Sequence, residues 1–299
     1  MATTLRKLLD GGTFFEGPRW RDGRWWISDF YSHAVFTVTP EGEATQIAEV
    51  PTQPSGLGWL PDNSLLIVSM LDCRLLRQGT DGKLEPYADL SAYAGGHAND
   101  MVVDEQGRAW VGNFGFDLME QEDPRPTQLV RVDPDGSVTP VADDLRFPNG
   151  SVITPDGRTL IVGETFANRM TAFTINADGS LGERRTWAQF GPTPELGPQA
   201  EMRQQIKVAP DGCCLDAEGH IWVADALNGR CLRVAEGGEI VEEVAAPEGL
   251  GVFACMLGGH DGRSLLLCCA PDSLAKHRAA AREASLWVCE VDVPHAGLP

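Results

Sequence analysis

The chain has 299 residues, with 24 Lys and Arg against 43 Asp and Glu, for a formal net charge of −19. So acidic a surface repels phosphate backbones and anionic headgroups, which excludes nucleic acid and membrane as partners; it favours solubility and draws cations inward. A hydrophobic content of 42% supports a substantial core, and the length suits one large all-β unit as well as two ordinary domains.

The opening MATTLRKLLDGG lacks an apolar stretch followed by a small-residue cleavage site, so no secretory signal is expected. No run reaches the ~18 apolar residues of a membrane span. Cytoplasmic residence is the resulting expectation. Within this opening, Thr3 to Leu9 has no repeat of its own and is expected to pair with the last strands of the chain, removing an exposed sheet edge.

From residue 16 onward one phrase recurs six times: a turn residue, an apolar step, an Asp- or Glu-Gly turn, then an apolar run. The copies span Glu16 to Ser28, Ser55 to Ser69, Asn99 to Gly112, Asn149 to Gly163, Asp211 to Ala224 and Phe253 to Cys268. Each copy leads into further short alternating runs such as AVFTV, TQIAEV and MTAFTI, so each repeat supplies about four strands. Equivalent apolar residues (Trp26, Leu66, Trp110, Leu160, Trp222, Leu266) recur mostly at blade-like intervals of roughly 40–50 residues. The pattern predicts an all-β, six-bladed β-propeller with four-stranded antiparallel blades and a central channel, forming a single domain over residues 1–299. Trp26, Trp110 and Trp222 are read as blade packing.

Three segments depart from the repeat. Phe114 to Gln128 is a polar loop after the third apolar run. GPTPELGPQAEMRQQIKVAPDG, just before Asp211, is rich in Pro and Gly and is expected to overhang the channel mouth, as a substrate lid or a plain surface excursion. SLAKHRAAAREAS has the Ala-rich composition of a short helical turn. The eight cysteines include the adjacent pairs Cys213–Cys214 and Cys268–Cys269, with Cys73, Cys231, Cys255 and Cys289 in or beside strands and no CxxC spacing. They read as small buried hydrophobes in a reducing compartment.

In a propeller the inner strands line the channel, so residues at one repeat position share one height. Glu16, Ser55, Asn99, Asn149, Asp211 and Phe253 therefore form a ring. Two carboxylates and two amide oxygens converging there suit a divalent cation: calcium first, with zinc, magnesium or manganese as alternatives. Taken singly, these residues are also ordinary turn formers that bond their own backbone. Ser55 and Phe253 break the polar ring and suggest a binding face with a back wall.

EGPRW in the first repeat, ND in the third, FPNG in the fourth, PDG-x3-D-x2-G-x2-WVA in the fifth and ACMLGG near the end resemble the gluconolactonase family. That family also includes regucalcin and the luciferin-regenerating enzyme. The resemblance spans essentially the whole chain and implies a six-bladed propeller with one divalent metal in its channel. It implies Glu16, Asn149 and Asp211 as metal ligands and Asn99, followed by Asp100, as a substrate contact near the metal. This chain has His97 where animal members carry Arg, and Glu164 where Asp is common, so substrate identity is not carried over.

The expected reaction is metal-assisted hydrolysis of a lactone or related small ester. Asp211 positions or deprotonates water, and Asn99 contacts substrate. His97 serves as a general acid or base, or as an orienting or structural imidazole. His33, His220, His260, His277 and His295 lie in turns or the tail. No GxSxG, Walker A, GxGxxG or HExxH motif is present. The rivals are a non-catalytic metal- or ligand-binding propeller, a propeller enzyme with other chemistry at the same site, and a protein-interaction propeller.

Overall fold

A computed structural model describes residues 4–297. Six antiparallel four-stranded sheets are arranged as the blades of a β-propeller. Their innermost strands are Phe15–Arg21, Pro54–Trp59, Ala98–Val103, Pro148–Ile153, Pro210–Leu215 and Gly251–Gly258. These strands are almost wholly buried, whereas the outermost strands, such as Ala44–Glu49 and Ile240–Ala245, are largely exposed. The sequence follows that gradient: inner strands carry Gly and small residues that pack blade against blade, and outer strands alternate charged with apolar residues.

The sixth sheet is closed by the other end of the chain. Strand Arg6–Gly12 pairs antiparallel with Ala284–Glu290, with Arg6 opposite Val288 and Leu9 opposite Leu286. The expected closure is therefore present; Thr3 lies outside the described residues. The N-terminal strand is thus the fourth, outermost strand of the last blade, and the two ends of the chain close the ring within one sheet.

Trp110 and Trp222 are fully buried between sheets, and a buried aromatic of this size is worth about 3–5 kcal/mol against alanine. In the first blade the fully buried indole is Trp25, its ring 4.6 Å from that of Trp20. Trp26 points the other way and meets Trp59 of the second blade edge-on at 5.2 Å. All three repeat tryptophans thus pack blades, by two different faces of the sheet. The Ala-rich segment forms a single helical turn, Ala275–Arg278. The insertion before Asp211 carries a short helix, Gln199–Gln205, anchored by buried Met202. No helix among the described residues is long and apolar enough to cross a membrane.

Candidate metal centre and cavity

Every innermost strand carries a bulge at the same place. Register with the second strand shifts between Glu16 and Arg19, Pro54 and Leu57, Ala98 and Met101, Pro148 and Ser151, Pro210 and Cys213, and Val252 and Ala254. A bulge leaves a residue unpaired and re-aims its side chain. Glu16, Ser55, Asn99, Asn149, Asp211 and Phe253 all fall within these shifts. The residue after each ring position lies against the next blade, and in most blades it is glycine. Gly17 has φ +56° and an added Cβ would stand 2.7 Å from the Ser55 carbonyl oxygen; a side chain at Gly150 would collide with the Asp211 carbonyl.

A second ring holds these strands in position. At the end of four of the six second strands a polar side chain accepts hydrogen bonds from the segment entering the innermost strand. Asp29 takes the N–H groups of Thr13 and Phe14, Asn113 that of Gly95, Glu164 that of Arg146 and Asp225 that of Ala209. Glu164, fully buried, is further held by Arg169 at 2.7 Å and by the Thr171 hydroxyl at 2.5 Å. Its longer side chain fills the same role as Asp29 and Asp225, so the substitution at this position is absorbed locally.

Glu16, Asn99, Asn149 and Asp211 come together on the lining of one cavity. Its walls are formed by Phe14, Phe30, Phe114, Phe147, Phe166 and Phe253. Leu118 and Met119 are contributed by the third-blade loop, and Arg203 and Ile206 by the insertion. All three segments that break the repeat therefore border the channel mouth, the Ala-rich one through Ser273. Ser55 stays off the lining but feeds a chain of hydrogen bonds around the floor. Its hydroxyl donates to Asn99 Oδ1 (3.0 Å), Asn99 Nδ2 to Asn149 Oδ1 (2.9 Å), Asn149 Nδ2 to Thr165 Oγ1 (3.1 Å), and Thr165 to the Pro210 carbonyl (2.7 Å). Asn149 is thus held at both ends of its amide, by Asn99 on the oxygen and by Thr165 on the amino group.

His97 is not brought to the lining. Its ring packs 5.3 Å from that of Phe114, and its Nδ1 is buried without a hydrogen-bond partner among the described residues. Burial pushes its pKa below the ordinary imidazole value, which favours the neutral ring. Of the wall residues, Phe253 holds a ring position and was expected as a back wall; Thr165, Arg203 and the other five phenylalanines had no part in the sequence reading.

Residues 14–270 match the family described as SMP-30/Gluconolactonase/LRE-like region. The chain belongs to this family. Its relatives include a 6-deoxy-6-sulfogluconolactonase of Pseudomonas putida, 26% identical over 67% of this chain. Regucalcin of Danio rerio is 29% identical over 58%. The matches span 64% and 54% of those two proteins' own lengths. Among solved structures, a calcium-binding regucalcin from Agrobacterium tumefaciens superposes with a TM-score of 0.78 at 24% identity, covering 100% of this chain and 97% of that one. This last likeness establishes the fold.

In this SMP-30/gluconolactonase-family protein the hub is electrostatically unbalanced. Glu16 is pushed well above the usual carboxylate range by burial and then by the charges of Asp211 and Asp100. Asp211 is raised by burial and by Asp100, with the Asn149 amide and the Gly212 N–H partly offsetting it. Asp100 itself is bridged by Arg19 at 3.0 Å. No Lys or Arg among the described residues bridges Glu16 or Asp211. The described residues gather no cluster of three His, Cys, Asp or Glu side chains. The donor set is two carboxylates and amide oxygen, all hard ligands that fit a hard divalent cation.

The imbalance has a measurable sign. Both carboxylates hold a proton more tightly folded than unfolded, so their contribution to metal-free stability is full at low pH and is lost as pH rises through the folded pKa values. In chelator, Tm is expected to fall from about pH 4.5, near the ordinary carboxylate range, towards neutrality. Glu16→Gln should flatten that fall. A wild-type Tm series in chelator that matches the variant's at every pH would contradict it.

Proposed function

We propose that this protein is a divalent-metal-dependent lactonase. The observation that carries the reading is the convergence of two unbridged, buried carboxylates and the Asn149 amide on the lining of one cavity. The lactonase name of the Pseudomonas relative supports the reaction class, and the calcium-binding description of the Agrobacterium protein supports the cation. Glu16, Asn149 and Asp211 would hold the ion, with calcium preferred over zinc, magnesium or manganese for this all-oxygen set. When bound, it would polarise the lactone carbonyl, stabilise the developing oxyanion and acidify water.

The chain's own residues then have distinct tasks. Asp211 would orient the attacking water and accept its proton. Asn99 fixes Asn149 through its amino group and is the substrate contact beside the floor. His97 stands one ring behind the wall and acts on the site through Phe114, by packing. The phenylalanine walls exclude water other than the one positioned for attack. Eight cysteines, all buried as free thiols, fit a reducing compartment, and the cytoplasm is the residence we assign.

A panel of lactones followed by pH indicator, before and after chelation, tests the reading. Proton release that disappears with chelator and returns with the cation is expected. Hydrolysis indifferent to chelation removes the metal, and no hydrolysis of any lactone by metal-loaded protein removes the activity. Asn99→Ala is expected to lower turnover by about tenfold to a hundredfold while retaining most bound metal by elemental analysis. If it loses metal as completely as Asn149→Ala, Asn99 is a ligand.

A further inference from the structure

We propose that the substrate is a flat, apolar lactone bearing a carboxylate, and that Arg203 is the residue that binds this carboxylate. The inference rests on the lactonase reading for the reaction and on the cavity walls for the substrate. Six phenylalanines, Phe14, Phe30, Phe114, Phe147, Phe166 and Phe253, form those walls. The rings of Phe147 and Phe166 lie nearly parallel, 9° apart in plane with centroids at 5.8 Å, and Phe114 stands 4.4 Å from Phe147. Phe14 and Phe253 meet at 4.8 Å. Such faces reward an aromatic or otherwise flat apolar body.

A polyhydroxylated lactone meets the opposite situation. Each hydroxyl taken from water needs a partner, and leaving it without one costs roughly 1–3 kcal/mol. The wall hydroxyls are already engaged: Tyr31 donates to the Ser273 carbonyl at 2.8 Å, and Thr165 sits between Asn149 and Pro210. Above the floor, only the Ser273 hydroxyl and the Arg203 guanidinium make no hydrogen bond to another described side chain or backbone group.

Arg203 is the one cation on the lining. Its guanidinium carbon lies 6.0 Å from the Phe166 ring centroid, and its Nε is buried without a partner. Other arginines sheltered in this molecule have their carboxylates: Arg19 has Asp100, Arg169 has Glu164 and Arg278 has Glu283. Arg203 has none among the described residues. Burial accordingly lowers its pKa, where Arg230 and Arg233 are raised by their acidic neighbours. A half-buried guanidinium without an anion, beside the Phe166 ring and on the lining of the cavity, is a receptor for a planar carboxylate. The reaction consumes one water: the acyl C–O bond of the ring breaks, the ring oxygen leaves as a hydroxyl and a second carboxylate is formed.

Phthalide, 5-carboxyphthalide, its methyl ester and D-glucono-1,5-lactone serve as matched probes. For metal-loaded wild type, kcat/KM for the carboxylate is expected to exceed that for its ester by about tenfold or more, the worth of a charge-assisted pair, with gluconolactone last. In Arg203→Gln the carboxylate-to-ester ratio should collapse towards one through KM, and Arg203→Lys should restore part of it. Calorimetric titration of 5-carboxyphthalide and its ester into both proteins reads the same ratio without turnover. The proposal is overturned if gluconolactone is preferred, or if the ratio is unchanged in Arg203→Gln. If no lactone is hydrolysed while the binding ratio still depends on Arg203, the reaction assignment fails and the carboxylate site stands.

Discussion

Asp211→Asn and Glu16→Gln are each expected to lower lactone turnover about a thousandfold or more, because each removes a charge from the centre that would polarise the carbonyl. The substitutions are nearly isosteric, so the bulges and blade packing around the hub remain. Both side chains sit in a field that opposes their ionisation. Neutralising either should therefore raise the Tm of metal-free protein at neutral pH while erasing the upward shift that added cation gives wild type. The combination distinguishes a ligand from a residue that merely supports the fold, whose replacement lowers Tm with and without metal. Calorimetric cation titration, Tm in chelator and lactone kinetics on the same preparations check it. Turnover at the wild-type rate in either variant would defeat the assignment.

The propeller was legible because six copies of one phrase must bury the same faces, and the alignment of copies also put Glu16, Asn99, Asn149 and Asp211 at one height. The bulges were less visible. What aims these side chains into the channel is a break in register that strand periodicity does not announce, although the glycine following most ring positions is its trace: Gly17, Gly56, Gly150 and Gly212. The second ring was within reach of the same comparison. Asp29, Asn113, Glu164 and Asp225 end four of the six apolar runs, and only Glu164 was singled out, as a departure and without its structural task. Arg203 belongs to a loop with no repeat partner, and of the wall phenylalanines only Phe253 holds a ring position. Their convergence depends on tertiary placement of segments with little local preference, and nothing in their spacing encodes it. His97 was attractive for its pKa range and for standing where animal relatives carry Arg, but its ring packs against Phe114 off the lining.

Asp100→Ala is expected to destabilise the protein by about 3–5 kcal/mol, the cost of leaving a buried charge without its partner. Asp100 stands where most other blades carry glycine, and its Oδ1 accepts from Arg19 Nη2 at 3.0 Å and from the Met101 N–H at 2.8 Å. Arg19, 3% exposed, spans from the first blade to the third and also donates to the carbonyls of Pro18 (2.8 Å) and Met101 (2.6 Å). The pair thus ties two inner strands 81 residues apart directly beneath the floor. Its removal acts in two directions at the hub. Loss of the Asp100 charge relieves Glu16 and Asp211, both of which it raises, while the freed guanidinium becomes an unpaired cation in a dry interior. The second effect is the larger, because the desolvation cost of an isolated buried ion exceeds a through-space term between groups. Replacing both partners, as in Arg19→Met with Asp100→Ala, should recover much of the lost stability, since no charge is then stranded. Urea unfolding of the two single variants and the double variant gives the coupling directly. Additive losses would show that Arg19 and Asp100 do not support each other, and that the floor is held by the Ser55–Asn99–Asn149–Thr165 chain alone.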